Sequence, residues 1–258
     1  MANLSVIIIT KNEALNIRSC LESVAWADEI IVVDSGSSDG TVEICRELGA
    51  KVYAHDWPGF GTQKNRALSY ASKGWVFSID ADERITNELR ASIEAVLEHP
   101  EGEHDAYEIS RLSSYCGRFM RHSGWYPDYV ARLFKRDAAR FSDDLVHERL
   151  IVEGSTGRLQ GTLLHYAFDD FEEVLYKINR YSSAGAKMLH QGGRRTTLTA
   201  AVLRGIWSFF RTYFLRGGFL DGQKGFMLAI SNAEGTYYRY LKLLLMQEME
   251  KQEMEKKE

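Results

Sequence analysis

The chain has 258 residues, a length that fits one large domain or one domain with an appendage. Hydrophobic residues make up 45% and charged residues 26% of the sequence, which argues against a disordered or fibrous protein. Three widely spaced cysteines without a Cys-x-x-Cys pair argue against a disulfide framework and a thiolate zinc site, and they favour a reducing compartment.

The net charge of −4 is distributed unevenly along the chain. Residues 187–246 contain nine basic and two acidic residues, whereas the part before them is acidic. A basic segment rich in aromatic residues predicts a surface that meets an anionic partner, either phospholipid or nucleic acid.

The first hundred residues alternate between short apolar runs and segments of helical period. The runs LSVIIIT, EIIVVD, KVYAHD and GWVFSID are typical of buried strands. A helix is predicted over residues 14–24, with Asn12 as its cap and Leu15 on its apolar face. This alternation favours β-α-β units and a parallel sheet.

Polar clusters follow three of the predicted strands, at residues 10–13, 34–37 and 80–83. Ligands of such sheets bind beyond the carboxyl ends of the strands, so we expect the three clusters to meet at one crevice. Asp34 either accepts hydrogen bonds from a nucleoside or forms an Asx turn before Gly36. The chain has neither a GxGxxG dinucleotide motif nor a P-loop.

The acids Asp80, Asp82 and Glu83 lie within four positions and repel one another unless a cation separates them. An Asp-x-Asp pair at a strand exit suits Mg²⁺ or Mn²⁺, which takes further ligands from diphosphate and water. The alternative is a solvated turn before a helix that Thr86 caps. Lys64, near a predicted helix start, would neutralise a diphosphate or lie on a solvated helix face.

Beyond residue 98 the pattern changes. The segments AYEISRLSSYCG, YVARLFKRD and RLQGTLLHYAF predict antiparallel strands, and the chain from Phe171 onward has helical period almost to its end. We therefore predict an α/β domain over residues 1–168 and a helical region over residues 169–258.

Four motifs taken together resemble the family 2 inverting glycosyltransferases of the GT-A fold: SVIIITKNE, EIIVVDSGSSDGT, GTQKNRAL and FSIDADE. The later motifs GWYPDYVARLFKRD, VHE and LLHYAF are similar to the subgroup of β-1,4-glucosyltransferases that act on heptose of the bacterial lipopolysaccharide inner core. The resemblance implies a Rossmann-like mixed sheet, here followed by an amphipathic helical extension.

The resemblance implies a UDP-sugar donor, UDP-glucose above all, and a divalent metal, Mg²⁺ or Mn²⁺. It assigns six residues to the donor site: Thr10 and Glu13 to the base pocket, Asp34 to uracil or ribose, Lys64 to the nucleotide, Asp80 to ribose or metal-bound water, and Asp82 to the metal.

Inverting transfer needs a base that takes the acceptor proton, and in this family it is a carboxylate after the Asp-x-Asp motif. The candidates are Asp143, Asp144 and Glu148, of which Glu148 matches the subgroup motif. Asp143 and Asp144 alternatively form a solvated turn. For Glu148 the alternative is an ion pair with Arg149 or Arg132.

Four further residues are candidates on the acceptor or metal side. Trp125 and Tyr126 would stack on an acceptor sugar, although core packing is an equal alternative. His147 and His165 would orient the base or reach the metal, and the alternative for each is a satisfied core histidine.

The segment AVLRGIWSFFRTYFLRGGFL predicts an amphipathic helix with an apolar face at Leu203, Ile206, Trp207, Phe210 and Phe214. Arginines interrupt this segment, so it is unsuited to span a bilayer and suited to lie on an anionic membrane surface. The alternative is packing on its own catalytic domain.

The leading hypothesis is transfer of glucose from UDP-glucose to a lipopolysaccharide core heptose, by a protein peripheral to the cytoplasmic face of the inner membrane. One alternative keeps the chemistry with another glycolipid or a protein as acceptor. Another is a non-catalytic nucleotide-sugar-binding module at the membrane surface. Nucleic acid is excluded as a partner because the basic residues lie among apolar ones of helical period.

Overall fold

The computed structural model describes residues 3–99, 103–142 and 149–256. Within these residues the chain forms two compact units. Unit 1 comprises Met1–Leu112 and Pro127–Tyr166, and unit 2 comprises Ser113–Tyr126 and Ala167–Glu258.

The strands in chain order are β1 (Leu4–Thr10), β2 (Glu29–Asp34), β3 (Lys51–Ala54), β4 (Trp75–Ser78), β5 (Glu83–Ile85), β6 (Ala106–Tyr115), β7 (Arg118–Phe119), β8 (Asp128–Lys135), β9 (Ala139–Phe141), β10 (Leu150–Val152) and β11 (Thr156–His165). The helices are α1 (Ile17–Val24), α2 (Thr41–Glu47), α3 (Phe60–Ser69), α4 (Asn87–Glu98), α5 (Phe171–Gln191), α6 (Leu198–Phe210) and α7 (Gly222–Glu255). A π-helical turn (Arg211–Leu215) and a 3₁₀ turn (Gly218–Asp221) connect α6 to α7.

Unit 1 is built on a mixed sheet with strand order β3-β2-β1-β4-β8-β6-β11-β5. The first four strands are parallel, as the alternation of elements predicts, and β8 continues the sheet antiparallel to β4. Thr10 lies opposite Asp34 in the register of β1 and β2, so these two strands end side by side.

Helices cover both faces of this sheet. Val6 and Ile8 of β1 belong to one apolar cluster together with residues of α1 and α4. Ile7 belongs to a second cluster, on the other face, which includes Ala67 of α3. Because both faces are buried, β1 carries an unbroken apolar run from Val6 to Ile9 instead of alternating with polar residues.

Helix α1 begins at Ile17, three residues later than predicted. Asn12 has a positive φ of 57° and does not cap the helix. The amide of Glu13 donates to Thr41 Oγ1 (2.8 Å), so the first residue of α2 holds the chain outside the α1 helix. Leu15, predicted on the apolar face, is 94% exposed.

Thr86 caps α4, because its Oγ1 accepts a hydrogen bond from the Leu89 amide at 3.3 Å. This cap is one part of the alternative to a metal site at Asp80 and Asp82, which is a solvated turn before a helix that Thr86 caps. The cap satisfies one amide of the α4 start and leaves the Asp82 carboxylate uninvolved in it.

In unit 2, α5 and α6 both pack against α7. Small residues allow close approach: a Cβ on Gly205 would lie 3.2 Å from Tyr237 Cβ, and one on Gly225 would overlap the Gly218 carbonyl. Strand β7 pairs with the last residues of β6, and Tyr115 joins Leu228 in a small apolar cluster. In the part of the chain that is described, no helix combines the length and apolarity that a membrane span requires.

Candidate functional site

The loops that follow β1 and β2 are joined by hydrogen bonds. Thr10 Oγ1 donates to Asp34 Oδ2 at 3.1 Å, and the Ser35 amide donates to the Thr10 carbonyl at 2.9 Å. Asp34 Oδ1 accepts the amides of Gly36 and Ser37, both at 2.9 Å. Asp34 therefore forms the Asx turn that the sequence offered as one of its two roles.

The other residue assigned to the base pocket, Glu13, is half-buried beside this turn. Its Oε2 accepts a hydrogen bond from Asn16 Nδ2 at 3.2 Å. Gln63, which sequence reasoning missed, is fully buried and donates to Ser35 Oγ at 2.9 Å. These contacts fix the loop backbone at the carboxyl end of the sheet.

A buried network of charges surrounds Asp80. Lys64 Nζ lies 3.0 Å from Asp80 Oδ1, and an Arg132 guanidinium nitrogen lies 2.7 Å from both Asp80 Oδ2 and Glu83 Oε1. The Asp80 amide also donates to Glu83 Oε2 at 2.9 Å. The repulsion among crowded acids that the sequence predicts is thus relieved by two side-chain cations.

Within this network the pKa values of Asp80 and Glu83 shift in opposite directions. Burial by itself raises the pKa of Asp80, but the charges of Arg132 and Lys64 outweigh burial, so its pKa lies well below the ordinary value. Burial raises the pKa of Glu83 above the ordinary value, against the opposing charge of Arg132. Asp80 is therefore an anion whose two carboxylate oxygens are both committed to cations.

Asp82 is as exposed as Asp80 but, among the described residues, forms no salt bridge to a lysine or arginine. Its Oδ2 lies 3.4 Å from His165 Nε2, and the two side chains are 31% and 20% exposed. Pairing of β11 with β5 places His165 opposite Glu83, and the Tyr166 amide donates to the Asp82 carbonyl at 2.9 Å. Two antiparallel strands thus bring an acid and an imidazole to one point.

This pair fits a divalent cation. A carboxylate oxygen and an imidazole nitrogen are both suitable ligands, and Mg²⁺ or Mn²⁺ takes only a few ligands from protein when phosphate oxygens and water complete its shell. Among the described residues no three His, Cys, Asp or Glu side chains gather at one point. Asp82 and His165 are the side chains that could hold such an ion here.

The candidate bases Asp143, Asp144 and Glu148, together with His147, lie outside the described residues. The strands beside them are held firmly: Asn65 exchanges two hydrogen bonds with the Phe141 backbone, each 2.9 Å long. The Ser142 amide then donates to the Arg149 carbonyl at 2.9 Å. Arg132, which the sequence offers with Arg149 as an ion-pair partner in the alternative role of Glu148, lies between Asp80 and Glu83.

The acceptor candidates Trp125 and Tyr126 belong to unit 2. The Trp125 ring packs edge-to-face on Tyr115, with centroids 5.9 Å apart, and stacks on Phe168 at 6.0 Å. The Arg121 guanidinium lies 6.0 Å from the Tyr126 ring centroid. The contacts of Trp125 with Tyr115 and Phe168 are those of the core-packing alternative. Its ring is only half-buried, however, and also borders a cavity.

Comparison with known proteins identifies relatives over almost the whole chain. The family model of glycosyl transferase family 2 matches residues 5–146. A glycosyltransferase of Rickettsia prowazekii is 34% identical, over 94% of this chain and 87% of its own length. LpsC of Rhizobium meliloti, a lipopolysaccharide core biosynthesis glycosyltransferase, is 31% identical over 92% of this chain and 89% of its own. The crystal structure of S. aureus TarS 1–349 in complex with UDP-GlcNAc aligns with 94% of this chain and 84% of its own, at 17% identity and a TM-score of 0.49.

Proposed function

The chain belongs to glycosyl transferase family 2, and from this premise we propose that it transfers glucose from UDP-glucose, with inversion, to a heptose of the lipopolysaccharide inner core. Its fold is the GT-A fold that the sequence motifs predict, and family membership makes it a sugar transferase. The observation that carries the finer proposal is the partly exposed Asp82–His165 pair. It lies beside Asp80, whose negative charge is balanced by Lys64 and Arg132. The kinship with LpsC supports the acceptor class.

The donor site follows from the strand ends. Asp82 and His165 would hold a divalent cation, which supplies charge stabilisation to the departing diphosphate. Lys64 and Arg132 keep Asp80 anionic and fixed, ready to accept a hydrogen bond from ribose or from metal-bound water. The turn formed by Thr10 and Asp34, with Glu13 beside it, would shape the nucleoside pocket.

The proposal predicts that Asp82→Asn weakens metal-dependent UDP binding by about tenfold or more, since a neutral amide is a poorer ligand for a hard cation. Calorimetric titration of UDP, with Mn²⁺ or with a chelator, measures this effect. Asp137→Asn is the matched control, because Asp137 is 83% exposed and its salt bridge among the described residues is to the neighbouring Arg136. Equal UDP affinity with and without metal in the unaltered protein would contradict the metal site.

Glu148 is proposed as the base that takes the acceptor hydroxyl proton while the sugar carbon is attacked from the opposite face. Glu148→Gln should retain UDP-glucose binding and lose at least about a hundredfold in transfer, the typical contribution of a general base. Transfer is measured with extracted core lipopolysaccharide as acceptor, and Asp143→Asn and Asp144→Asn serve as controls. Normal turnover of Glu148→Gln would assign the base elsewhere.

The same assay distinguishes the acceptor and donor alternatives. A set of UDP-sugars offered with core lipopolysaccharide identifies the sugar that is transferred. Transfer from UDP-glucose that requires another glycolipid or a protein would replace the heptose acceptor and keep the enzyme class. Donor binding without transfer to any acceptor would favour the non-catalytic module.

The membrane part of the proposal is supported by α6 and the turn after it. The small side chains of Ala201, Gly205 and Ser208 are buried, whereas the large apolar ones face outward. The outward residues are 43–61% exposed: Leu203, Ile206, Trp207, Phe210 and Phe214. An exposed apolar face with arginines beside it suits the inner face of an anionic bilayer.

A further inference from the structure

Unit 2 contains a cavity of about 450 Å³ between α5, α6 and α7. This volume lies within the range of small-molecule sites in proteins. Four cationic side chains line the cavity: Lys177, Arg211, Arg216 and Arg239. Among the described residues, no Asp or Glu belongs to the lining. A concave surface with one sign of charge concentrates ligands of the opposite sign.

Most of this positive charge is uncompensated. Lys177 Nζ lies 2.9 Å from Glu173 Oε1, so its charge is already paired. Arg211, Arg216 and Arg239 make no salt bridge to any residue that the structure describes. Three guanidinium groups around one cavity are therefore available to an anion, which Arg binds through paired N–H donors.

Glycines give two of these arginines the space they occupy. A Cβ on Gly185 would lie 2.8 Å from Arg239 Nε, and one on Gly124 would lie 2.6 Å from Arg216 Cδ. Any larger residue would displace the guanidinium stem. The arginines thus lie in recesses of the backbone beside the cavity.

The remaining lining is suited to a sugar. Thr236 Oγ1 donates to Ser208 Oγ at 3.2 Å, and Ser231 also borders the space. Trp125 and Tyr181 add aromatic surface on which a pyranose ring could lie. Hydroxyl groups, aromatic rings and unpaired guanidinium groups are together the requirements of a sugar that bears an anionic group.

We propose that this cavity binds a sugar that carries a phosphate or carboxylate group. The proposal rests on the proposed function in one respect, that such a sugar forms part of the glycolipid acceptor. Unit 2 also exposes the apolar face of α6, so a single unit offers both a surface for acyl chains and a cavity for an anionic headgroup. A free sugar phosphate presents the same chemistry, and the experiment separates these two sources.

The test titrates the full chain with a hexose phosphate in calorimetry, with UDP present so that the nucleotide site is filled. Glucose is the neutral control ligand. Arg239→Gln and Arg211→Gln should each weaken binding of the hexose phosphate about tenfold, the effect of losing one charge-assisted hydrogen bond. Arg239→Lys, which retains the charge, should lose less.

Arg180→Gln is the matched control, because Arg180 is exposed on α5 and outside the lining. Gly185→Ala should weaken binding without removing a charge, because its Cβ displaces Arg239. Thermal unfolding followed by circular dichroism verifies that each variant folds. Equal affinity for glucose and the hexose phosphate, or unchanged affinity in both Gln variants, would overturn the proposal.

Vesicles identify the source of the anion. Sedimentation is compared for phosphatidylcholine vesicles containing lipid A and for vesicles containing phosphatidylglycerol. If Arg239→Gln loses binding to the lipid A vesicles and keeps binding to the phosphatidylglycerol vesicles, the cavity binds a lipid-borne headgroup. If Arg239→Gln weakens binding of the hexose phosphate and leaves binding to both kinds of vesicle unchanged, the cavity binds a free sugar. UDP titration of the unaltered protein is scored separately, so failure of the donor proposal remains distinguishable from failure of the cavity.

Discussion

Among single residues outside the site, Glu29 is a buried acid whose carboxylate accepts several hydrogen bonds. It is buried at the start of β2, where Ser5 Oγ (2.6 Å), the Ser72 amide (2.6 Å) and Lys51 Nζ (2.8 Å) all donate to its carboxylate. Burial by itself raises the pKa of Glu29, but the hydrogen bonds from Lys51, Ser5 and Ser72 outweigh it and lower the pKa to about 2. The folded state thus stabilises the charged form.

This shift predicts a pH-dependent effect of Glu29→Gln. Because the folded pKa lies below the unfolded value, the charged Glu29 stabilises the fold fully above about pH 4.5 and loses that contribution as the pH falls towards 2. At pH 7 the variant should lose about 2–3 kcal/mol of unfolding free energy. Near pH 3 the difference should shrink, as measured by urea denaturation.

Glu94→Gln is the control for this experiment, since Glu94 is exposed and pairs with Arg90 one turn away on α4. Its effect should stay below about 1 kcal/mol at either pH. An equally large loss for Glu29→Gln at both pH values would show that the carboxylate acts through its shape rather than its charge.

Residue patterns in the sequence predicted the local part of the site and missed the distant part. The Asx turn of Asp34 follows from neighbours two and three positions away. The pairing of Arg132 with Asp80 joins residues 52 positions apart and depends on β8 lying beside β4. The signal that could have revealed Arg132 is a lone cation inside an apolar strand, which must find a buried acid.

At the scale of elements, α3 and β9 are joined through one side chain. Asn65 Nδ2 donates to the Phe141 carbonyl and Asn65 Oδ1 accepts the Phe141 amide. An amide that pairs with both backbone groups of one residue substitutes for a missing strand neighbour. It fixes β9 next to the helix that carries Lys64.

Asn65→Ala should therefore loosen β9 more than the rest of the sheet. We expect a loss of about 1–3 kcal/mol in unfolding free energy, because two backbone groups lose their partner. Hydrogen exchange of the Phe141 amide should accelerate relative to that of β1 amides. Ser69→Ala is the control, since Ser69 Oγ donates within α3, to the Arg66 carbonyl, and unchanged exchange at Phe141 in Asn65→Ala would contradict the role.

The first and last residues of a helix or strand were predictable where residues inside that element determine them. The centres of β1 and β2 are apolar runs of four residues because helices cover both sheet faces. The start of α1 was predicted too early, since Thr41 and Asp39 bind the amides of residues 13 and 14 from another part of the chain. The helical period of a segment does not reveal side chains from elsewhere in the chain that accept hydrogen bonds from its first amides.

Across the whole molecule, the basic residues and the exposed apolar residues both concentrate in the C-terminal half. Residues 187–246 hold nine basic and two acidic residues. Trp207 and Leu215 of this region are 55% and 62% exposed. The periodicity predicts the apolar face of α6, and the side chains of this face are exposed in the described part of the chain.

A membrane partner predicts that Trp207→Glu lowers binding to anionic vesicles by about tenfold, because a charge replaces an aromatic ring at the interface. Binding should also weaken as salt is raised. Met249→Glu is the control, since Met249 is 61% exposed on α7 and is not one of the residues of the α6 apolar face. Co-sedimentation measures both, and equal binding of Trp207→Glu would remove the membrane assignment.

The β9–β10 hairpin has a consequence for how enzymes of this kind diversify. Its stem is secured at Phe141 by Asn65, and the Ser142 amide donates a hydrogen bond to the Arg149 carbonyl. Doubling the length of such a connection costs only about 0.6 kcal/mol in closure entropy. A change in the length of the chain that joins β9 to β10 therefore costs little free energy, so related enzymes can differ there while the framework of the sheet is inherited intact.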